Sequence, residues 1–230
     1  MKVKLLGIVG TPVKKGNCQV HVEYALKCAE ETGDVETELI HLANYEIKYC
    51  VACEGCLRRV HKIQKKTGTG GTFDRVPVRE YNCGIDDDMR IIHKKMVEAD
   101  GFILGAPAYI LTVPGQFKTF MDRCRTFAHD YRLKGKVGTS LSVAFYRNVG
   151  PEPTLIHLNL FLNAMMINTV YYGVGAITTK EGTGPPIRDI RHAVLKDEFA
   201  MGFTKIVGMR VADMAKIVKA GKEALGLKDY

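Results

Sequence analysis

The chain has 230 residues, 46% of them hydrophobic, and carries a formal net charge of +8. That length buries one substantial core, no apolar run approaches the ~18 residues of a membrane span, and the run Leu5 to Val9 is too short for a secretory signal, so one soluble cytoplasmic domain over residues 1–230 is expected. The charge favours an anionic partner without choosing among nucleic acid, an acidic protein and a phosphorylated cofactor.

Lys4 to Val9 is an apolar run ending in glycine, and from Asn17 to Glu31 the residues Val22, Leu26 and Ala29 recur at helical spacing, which predicts a strand, a tight loop and a helix. Val35 to Leu42, Gly101 to Leu104, Val137 to Phe145 and Thr169 to Val174 read as four further strands. Helical stripes lie between the later ones: Met89, Ile92 and Met96, then Phe117, Phe120, Met121 and Cys124, then Leu155, Leu158 and Leu162. Val207, Val211, Met214, Ile217 and Val218 mark a C-terminal helical segment at about 188–226. Strands alternating with helices imply a parallel sheet covered on both faces, with ligands bound beyond the carboxyl ends of its strands. Asn44 to Asn82 breaks the alternation and is predicted as a long, basic, glycine-containing loop of the kind that carries function or moves.

Gly10-Thr11-Pro12-Val13-Lys14-Lys15-Gly16-Asn17-Cys18 joins the first strand to the first helix, so free backbone N–H groups and a positive helix end converge where an anion would sit. It lacks both the G-K-[ST] ending of a Walker A loop and the G-x-G-x-x-G spacing. A turn with an asparagine cap is the alternative reading.

Ala106-Pro107-Ala108-Tyr109-Ile110-Leu111-Thr112-Val113-Pro114 follows the third strand and leads into Gly115 to Arg123. Together with the first loop it resembles the NADPH-dependent FMN reductase family. The resemblance implies a flavodoxin-like α/β fold, a doubly wound five-stranded parallel sheet of order 2-1-3-4-5. It implies further that Thr11, Pro12, Val13, Lys14, Gly16, Asn17 and Cys18 hold an FMN phosphate, and that Pro107, Ala108, Tyr109, Ile110 and Leu111 lie along the isoalloxazine. Val13 stands where that family has arginine and Cys18 where it has a hydroxyl, which shifts phosphate binding toward Lys14, Lys15 and backbone N–H groups. The family's third flavin loop corresponds to Tyr146, Arg147, Asn148 and the residues up to Glu152, with Arg147 facing negative charge on reduced flavin.

Seven cysteines, three at tight spacing, favour metal or redox chemistry over a disulfide framework. Cys50, Cys53 and Cys56 form C-x2-C-x2-C, a spacing that wraps one loop around three corners of a cubane cluster, whereas structural zinc more often pairs two separated C-x2-C halves. With this motif the chain, from Lys4 to about Gly175, resembles the archaeal-type iron-sulfur flavoproteins, a branch of the same family that binds a [4Fe-4S] cluster between the second strand and the following helix. There the fourth cysteine comes soon after the third and just before a segment like Gly84-Ile85-Asp86-Asp87-Asp88-Met89. Cys83 holds that place, separated from Cys56 by 26 residues, so Leu57 to Tyr81 reads as an insertion inside a cluster-binding region at about 44–84. Cys28 and Cys124 fall in helical apolar stripes and read as core residues, and Asp86 to Asp88 read as helix caps.

The resemblance implies an electron-transfer flavoprotein that passes electrons between the cluster and FMN, with no side chain in a catalytic role and ferredoxin as a donor. It also implies a homo-oligomer, a dimer or tetramer, with the cluster of one subunit near the flavin of another. Two other readings stay open: an NAD(P)H-dependent FMN or quinone reductase, and a zinc-stabilised nucleic-acid-binding module suggested by the net charge and the basic stretch Arg58 to Lys66. Between Leu57 and Tyr81, the residues Arg58, Arg59, Lys62, Lys65, Lys66, Arg75 and Arg79 face only Asp74 and Glu80, a local excess of five positive charges. That excess is either a solvated loop or a dock for an acidic partner.

Overall fold

The computed structural model describes residues 1–68, 81, 83–179 and 192–227. Its strands are β1 (Val3–Val9), β2 (Val35–His41), β3 (Gly101–Pro107), β4 (Val137–Ala144), β5 (Asn168–Thr169) and β6 (Val174–Ile177). All pair in parallel, in the order β2-β1-β3-β4, with β5 and β6 both lying along β4. The lanes therefore follow the expected order 2-1-3-4-5.

The helices are α1 (Asn17–Glu30), α2 (Gly55–Thr67), α3 (Met89–Glu98), α4 (Gly115–Arg123), α5 (Arg125–Asp130), α6 (Pro151–Ala164) and α7 (Glu198–Ala224). Side chains alternate across the sheet, so each strand feeds two cores. Leu6, Ile8, Phe102 and Leu104 pack with Ile92 of α3, Phe117 and Phe120 of α4 and Leu158 of α6. Val3, Leu5, Val9 and Ile103 pack on the other face with Val22 and Leu26 of α1 and Val207 and Val211 of α7.

Two expectations need correction. The fifth strand is not one run from Thr169 to Val174. Thr169 pairs with Gly138 and Val174 with Leu141, so this lane spends five residues where β4 spends three, and the excess bulges outward. Gly173 makes the re-entry, at φ 119°, where a Cβ would strike the Ser140 carbonyl. Asn159 and Ser140 hold the bulge from inside by donating to the Tyr172 carbonyl. The second correction lies in the basic region, where residues 55–67 form α2 rather than a loop. Val60 and Ile63 bury one side of that helix, and Gly68, with φ 68°, ends it. Asp74, Arg75, Arg79 and Glu80 lie outside the described residues.

Two histidines are sealed into these cores. His21 donates through Nε2 to Thr204 Oγ1 at 2.7 Å, because the threonine proton is already given to the Ala200 carbonyl. His93 lies against the rings of Tyr81 and Phe127. Burial, above all, lowers His21 to about 4 and His93 to about 3. Both stay neutral in the fold, whereas the unfolded chain takes up their protons below ~6.5, so their stabilising effect is complete above that value and declines as pH falls toward the folded values. Each contributes a slope of at most ~1.4 kcal/mol per pH unit. Thermal unfolding from pH 7 to pH 4 should therefore show a falling Tm that His21→Gln and His93→Phe each flatten; an unchanged slope in both would mean the two rings titrate as if exposed.

Candidate functional site

The parallel sheet brings the turns after β1, β3 and β4 to one edge, and a cavity of about 340 Å3 opens there. It is lined by Thr11, Val13, Gly16, Asn17 and Cys18 from the first turn, Pro107, Ala108 and Tyr109 from the second, and Val143, Ala144, Phe145 and Thr178. At its polar end α1 starts with Gly16 as cap, no side-chain cap bond and no acid in the first turn. The first N–H groups of α1 are thus left for a ligand, and an anion would complement the helix dipole. The Thr11 hydroxyl accepts from Val13 N at 3.2 Å and shapes the turn. Cys18 is buried, which pushes its thiol well up and keeps it protonated. Asn17 also reaches across the fold. Its Oδ1 accepts from Val194 N at 3.0 Å, while His192 bonds the Lys15 carbonyl, so the segment before α7 clasps this turn. Pro12 and Lys14 are exposed and do not line the cavity.

The turn after β3 is a tight hairpin in which Tyr109 and Thr112 exchange backbone bonds of 2.8 and 3.2 Å. Ile110 and Leu111 at its tip both take positive φ, 48° and 61°, although neither is glycine. Such backbone costs roughly 1–3 kcal/mol per residue and persists only where the surroundings hold it. Here Gly150, at φ 118° before α6, is the support; a Cβ on it would lie 2.9 Å from Ala108 Cβ and 3.1 Å from Leu111 Cα. Ile110 and Leu111 themselves point outward, exposed, and do not line the cavity.

In the third loop, Tyr146, Arg147 and Asn148 lie outside the lining set, and Phe145 takes the contact instead. Arg147 is drawn away, pairing with Asp197 at 2.9 Å and lying over the Phe199 ring. That pairing holds the start of α7. Thr178, Val143, Ala144 and Phe145 are lining residues that sequence reasoning missed; β-strand ends beside known loops are the signal that points to them.

The cysteines divide into two groups. All seven are free; Cys18, Cys28 and Cys124 are buried, whereas Cys50, Cys53, Cys56 and Cys83 reach the surface. Cys124 Sγ faces Met96 in the core, as the helical stripe predicts. Around the second group the chain curls, with left-handed backbone at Ala52 and Glu54 (φ 50° and 56°) and Cys56 in the first turn of α2. Cys83 is brought back to this curl across the sequence gap. Lys48 N donates to Asp87 and Glu46 N to Asp88, at 2.9 and 2.8 Å, so the run before Cys50 lies antiparallel to the run after Cys83. Arg59 reaches the Cys83 carbonyl at 3.4 Å, and Arg125 pairs with Glu54 at 3.7 Å. Burial, chiefly, raises the Cys56 thiol, and the nearby Cys83 sulfur adds to the shift. Among the described residues no three His, Cys, Asp or Glu side chains gather as for a single metal ion; a cubane spaces its ligand sulfurs further apart than one ion does.

Arg123 organises this region. It is almost wholly buried, and its guanidinium joins Asp87 to the Lys48 carbonyl, the Tyr81 hydroxyl and the Cys83 sulfur. Burial alone would raise the Asp87 carboxyl, but bonds from Arg123, Lys48 N and Met89 N outweigh it and hold the group below the usual carboxylate range. Of the three aspartates expected as caps, Asp88 stands at the N-cap of α3 but gives its carboxylate to Glu46 N and Asp86 pairs with Arg90; only Asp87 bonds a helix N–H, Met89 N at 3.1 Å, with the clamp on Lys48 added.

A parallel α/β sheet of this order with an anion-ready turn at its edge defines the flavodoxin-like class. Residues 3–179 match the family model of NADPH-dependent FMN reductases. Iron-sulfur flavoprotein MJ1083 of Methanocaldococcus jannaschii is 33% identical over 94% of this chain and all of its own length. An iron-sulfur flavoprotein of Methanosarcina thermophila is 35% identical over 72% of this chain and 76% of its own. Among solved structures, RosB with bound 8-demethyl-8-formylriboflavin-5'-phosphate shares the fold with TM-score 0.69 at 13% identity, covering 99% of this chain and 88% of that one. The chain belongs to the NADPH-dependent FMN reductase family, and within it to the archaeal-type iron-sulfur flavoproteins.

Gly150 offers a test of how the β3 turn is held. Gly150→Val should cost about 1–3 kcal/mol, from strained φ and contact with Leu111, measured by urea unfolding. It should also speed proteolytic cutting at residues 108–112; a variant as stable and as resistant as the parent would mean the turn stands without this support.

Proposed function

We propose that this chain is an electron-transfer flavoprotein: FMN fills the cavity at the carboxyl edge of the sheet, Cys50, Cys53, Cys56 and Cys83 hold a [4Fe-4S] cluster, and electrons pass between the two. The observation that carries this reading is the pairing, in one chain, of an uncapped helix N-terminus opening on an apolar cavity with four surface-reaching cysteines on two runs that Arg59 and Arg123 tie to one another. Bound there, the cluster supplies single electrons and the flavin one or two, so the protein's part is to position and tune. The α1 N–H groups and the Thr11 turn hold the phosphate. Pro107, Ala108, Tyr109 and Phe145 exclude water around the ring. Among the described residues no helix is long and apolar enough to cross a membrane.

FMN and iron should co-purify near one FMN and four iron atoms per chain after anaerobic preparation. Gly16→Asp separates phosphate binding from folding: aspartate is a better helix cap than glycine, and its Cβ, 2.9 Å from Cγ1 of the exposed Val13, needs only that side chain to turn aside, yet its carboxylate takes the phosphate's place. FMN affinity should fall at least tenfold while Tm of the flavin-free protein holds or rises. Full FMN retention would remove this turn from the site.

An acidic electron carrier such as ferredoxin fits as donor. Arg58, Lys62, Lys65 and Lys66 recur along one side of α2, which carries no acid and starts beside Cys56. Complementary charge speeds such encounters, and salt screens it over ~10 Å at 0.1 M. Reduction by ferredoxin should slow as salt rises, and Lys62→Glu with Lys65→Glu and Lys66→Glu should slow it at low salt while reduction by dithionite stays near the parent rate. A rate indifferent to both would make α2 a spacer. A homo-oligomer belongs to this reading; Phe199, Phe203, Ile206 and Tyr171 give an exposed apolar surface for it. The family description favours one second reading, direct reduction by NADPH. Rapid anaerobic bleaching of the flavin by NADPH without ferredoxin would select it.

A further inference from the structure

A buried arginine loses its hydration and is retained where its fixed fork meets several acceptors at once. Arg123 is the largest fully buried side chain of the described residues. It pairs with Asp87 through both Nη atoms, one contact very close and the other 3.0 Å, with both side chains almost completely out of solvent. Nη1 also donates to the Lys48 carbonyl at 2.6 Å, and Nη2 to Tyr81 Oη at 2.7 Å and Cys83 Sγ at 3.6 Å. Asp87 alone would satisfy the charge. The remaining bonds all go to the two runs that carry the cysteines, one of them to a cysteine sulfur itself.

Replacing such a pair by apolar side chains of similar volume is often neutral or stabilising, so its presence points to a role other than stability. Hydrogen bonds to ligand sulfurs, net charge and solvent exposure set the potential of a cysteine-ligated cluster. Reduction adds one negative charge to a cluster already bound by four thiolates. A guanidinium N–H aimed at one of those sulfurs therefore stabilises the reduced form more than the oxidised one.

We propose that Arg123 is a positioning residue for the iron-sulfur cluster: it draws Cys83 against the Cys50–Cys56 run and, by donating a charge-assisted hydrogen bond to the Cys83 sulfur, raises the cluster's reduction potential. The inference rests on the reading that Cys83 is the fourth ligand. Asp87 moderates the effect by offsetting the guanidinium charge. Tyr81 brings a second hydroxyl donor to the same place, its oxygen held by Arg123 Nη2 at 2.7 Å.

The test is the cluster's midpoint potential, followed by electron paramagnetic resonance during redox titration of anaerobically purified holoprotein. The double variant Arg123→Gln/Asp87→Asn leaves no unpaired charge in the core. It should lower the potential by about 59 mV, a tenfold change in the ratio of reduced to oxidised cluster at a fixed potential. Asp87→Asn alone, which leaves the guanidinium charge without its counterion, should shift it upward. If the double variant fails to fold, Tyr81→Phe and Arg123→Lys carry the test, each with an expected downward shift. Parent potentials in all cluster-loaded variants would overturn the proposal. The ligand reading has its own assay, Cys83→Ser. Parent iron content and spectrum in that variant would remove Cys83 from the ligand set, whereas loss of the cluster there, with unshifted potentials in the Arg123 variants, would sink the role of Arg123 alone.

Discussion

Every strand of the sheet runs the same way, and that constraint delivers all the strand-to-helix turns to one edge. The cavity there follows from topology before any particular side chain is chosen. Its anion end is supplied by the backbone: α1 begins without a side-chain cap among the described residues, which leaves its first N–H groups open to a ligand. This explains how Val13 can stand where a family arginine is usual. With FMN placed as proposed, the preference for phosphate would come from the helix end, with charged side chains as a supplement.

The cysteine region depends on different forces. It lies outside the sheet, leaning on the main core through Tyr45, Ile47 and Tyr81, with Val60 and Ile63 as a small apolar cluster beside them. Ion pairs and backbone-to-carboxylate bonds replace a core. Asp87 and Asp88 hold the run before Cys50, and Arg123 reaches across from α4 to hold both runs. A region assembled this way is directional. A hydrophobic contact tolerates sliding, but a forked guanidinium on a carboxylate does not.

The sheet was legible because its strands carry their burial in local pattern. Leu5, Leu6, Ile8 and Val9 alternate between two cores, and the stripes of α3, α4 and α6 keep helical period. The lane split at Gly173 was not legible, since it depends on Ser140 and Asn159, which meet Tyr172 only after folding. In α2 the density of charge masks the short Val60–Ile63 stripe. Arg147 and Asn17 are legible by their position in familiar loops, but their partners, Asp197 and Val194, come from the far end of the chain. Arg123 ends the predicted α4 helix as an ordinary terminal cation, although a cation three residues after Phe120 on a buried face is itself a sign of a hidden counterion.

Helix α4 starts three residues after the Tyr109–Thr112 hairpin and ends on Arg123, and this gives it a mechanical role. One end abuts the turn after β3 and the other carries the clamp on Cys83. Nine residues at 1.5 Å each make a strut of about 13 Å, stiff along its axis. It acts as a ruler between two places of different chemistry, and its phase matters as much as its length. One residue more would turn its far end by about 100° and swing the guanidinium off its carboxylate. The spacing and the grip are therefore one quantity, written in the residue count of a single helix.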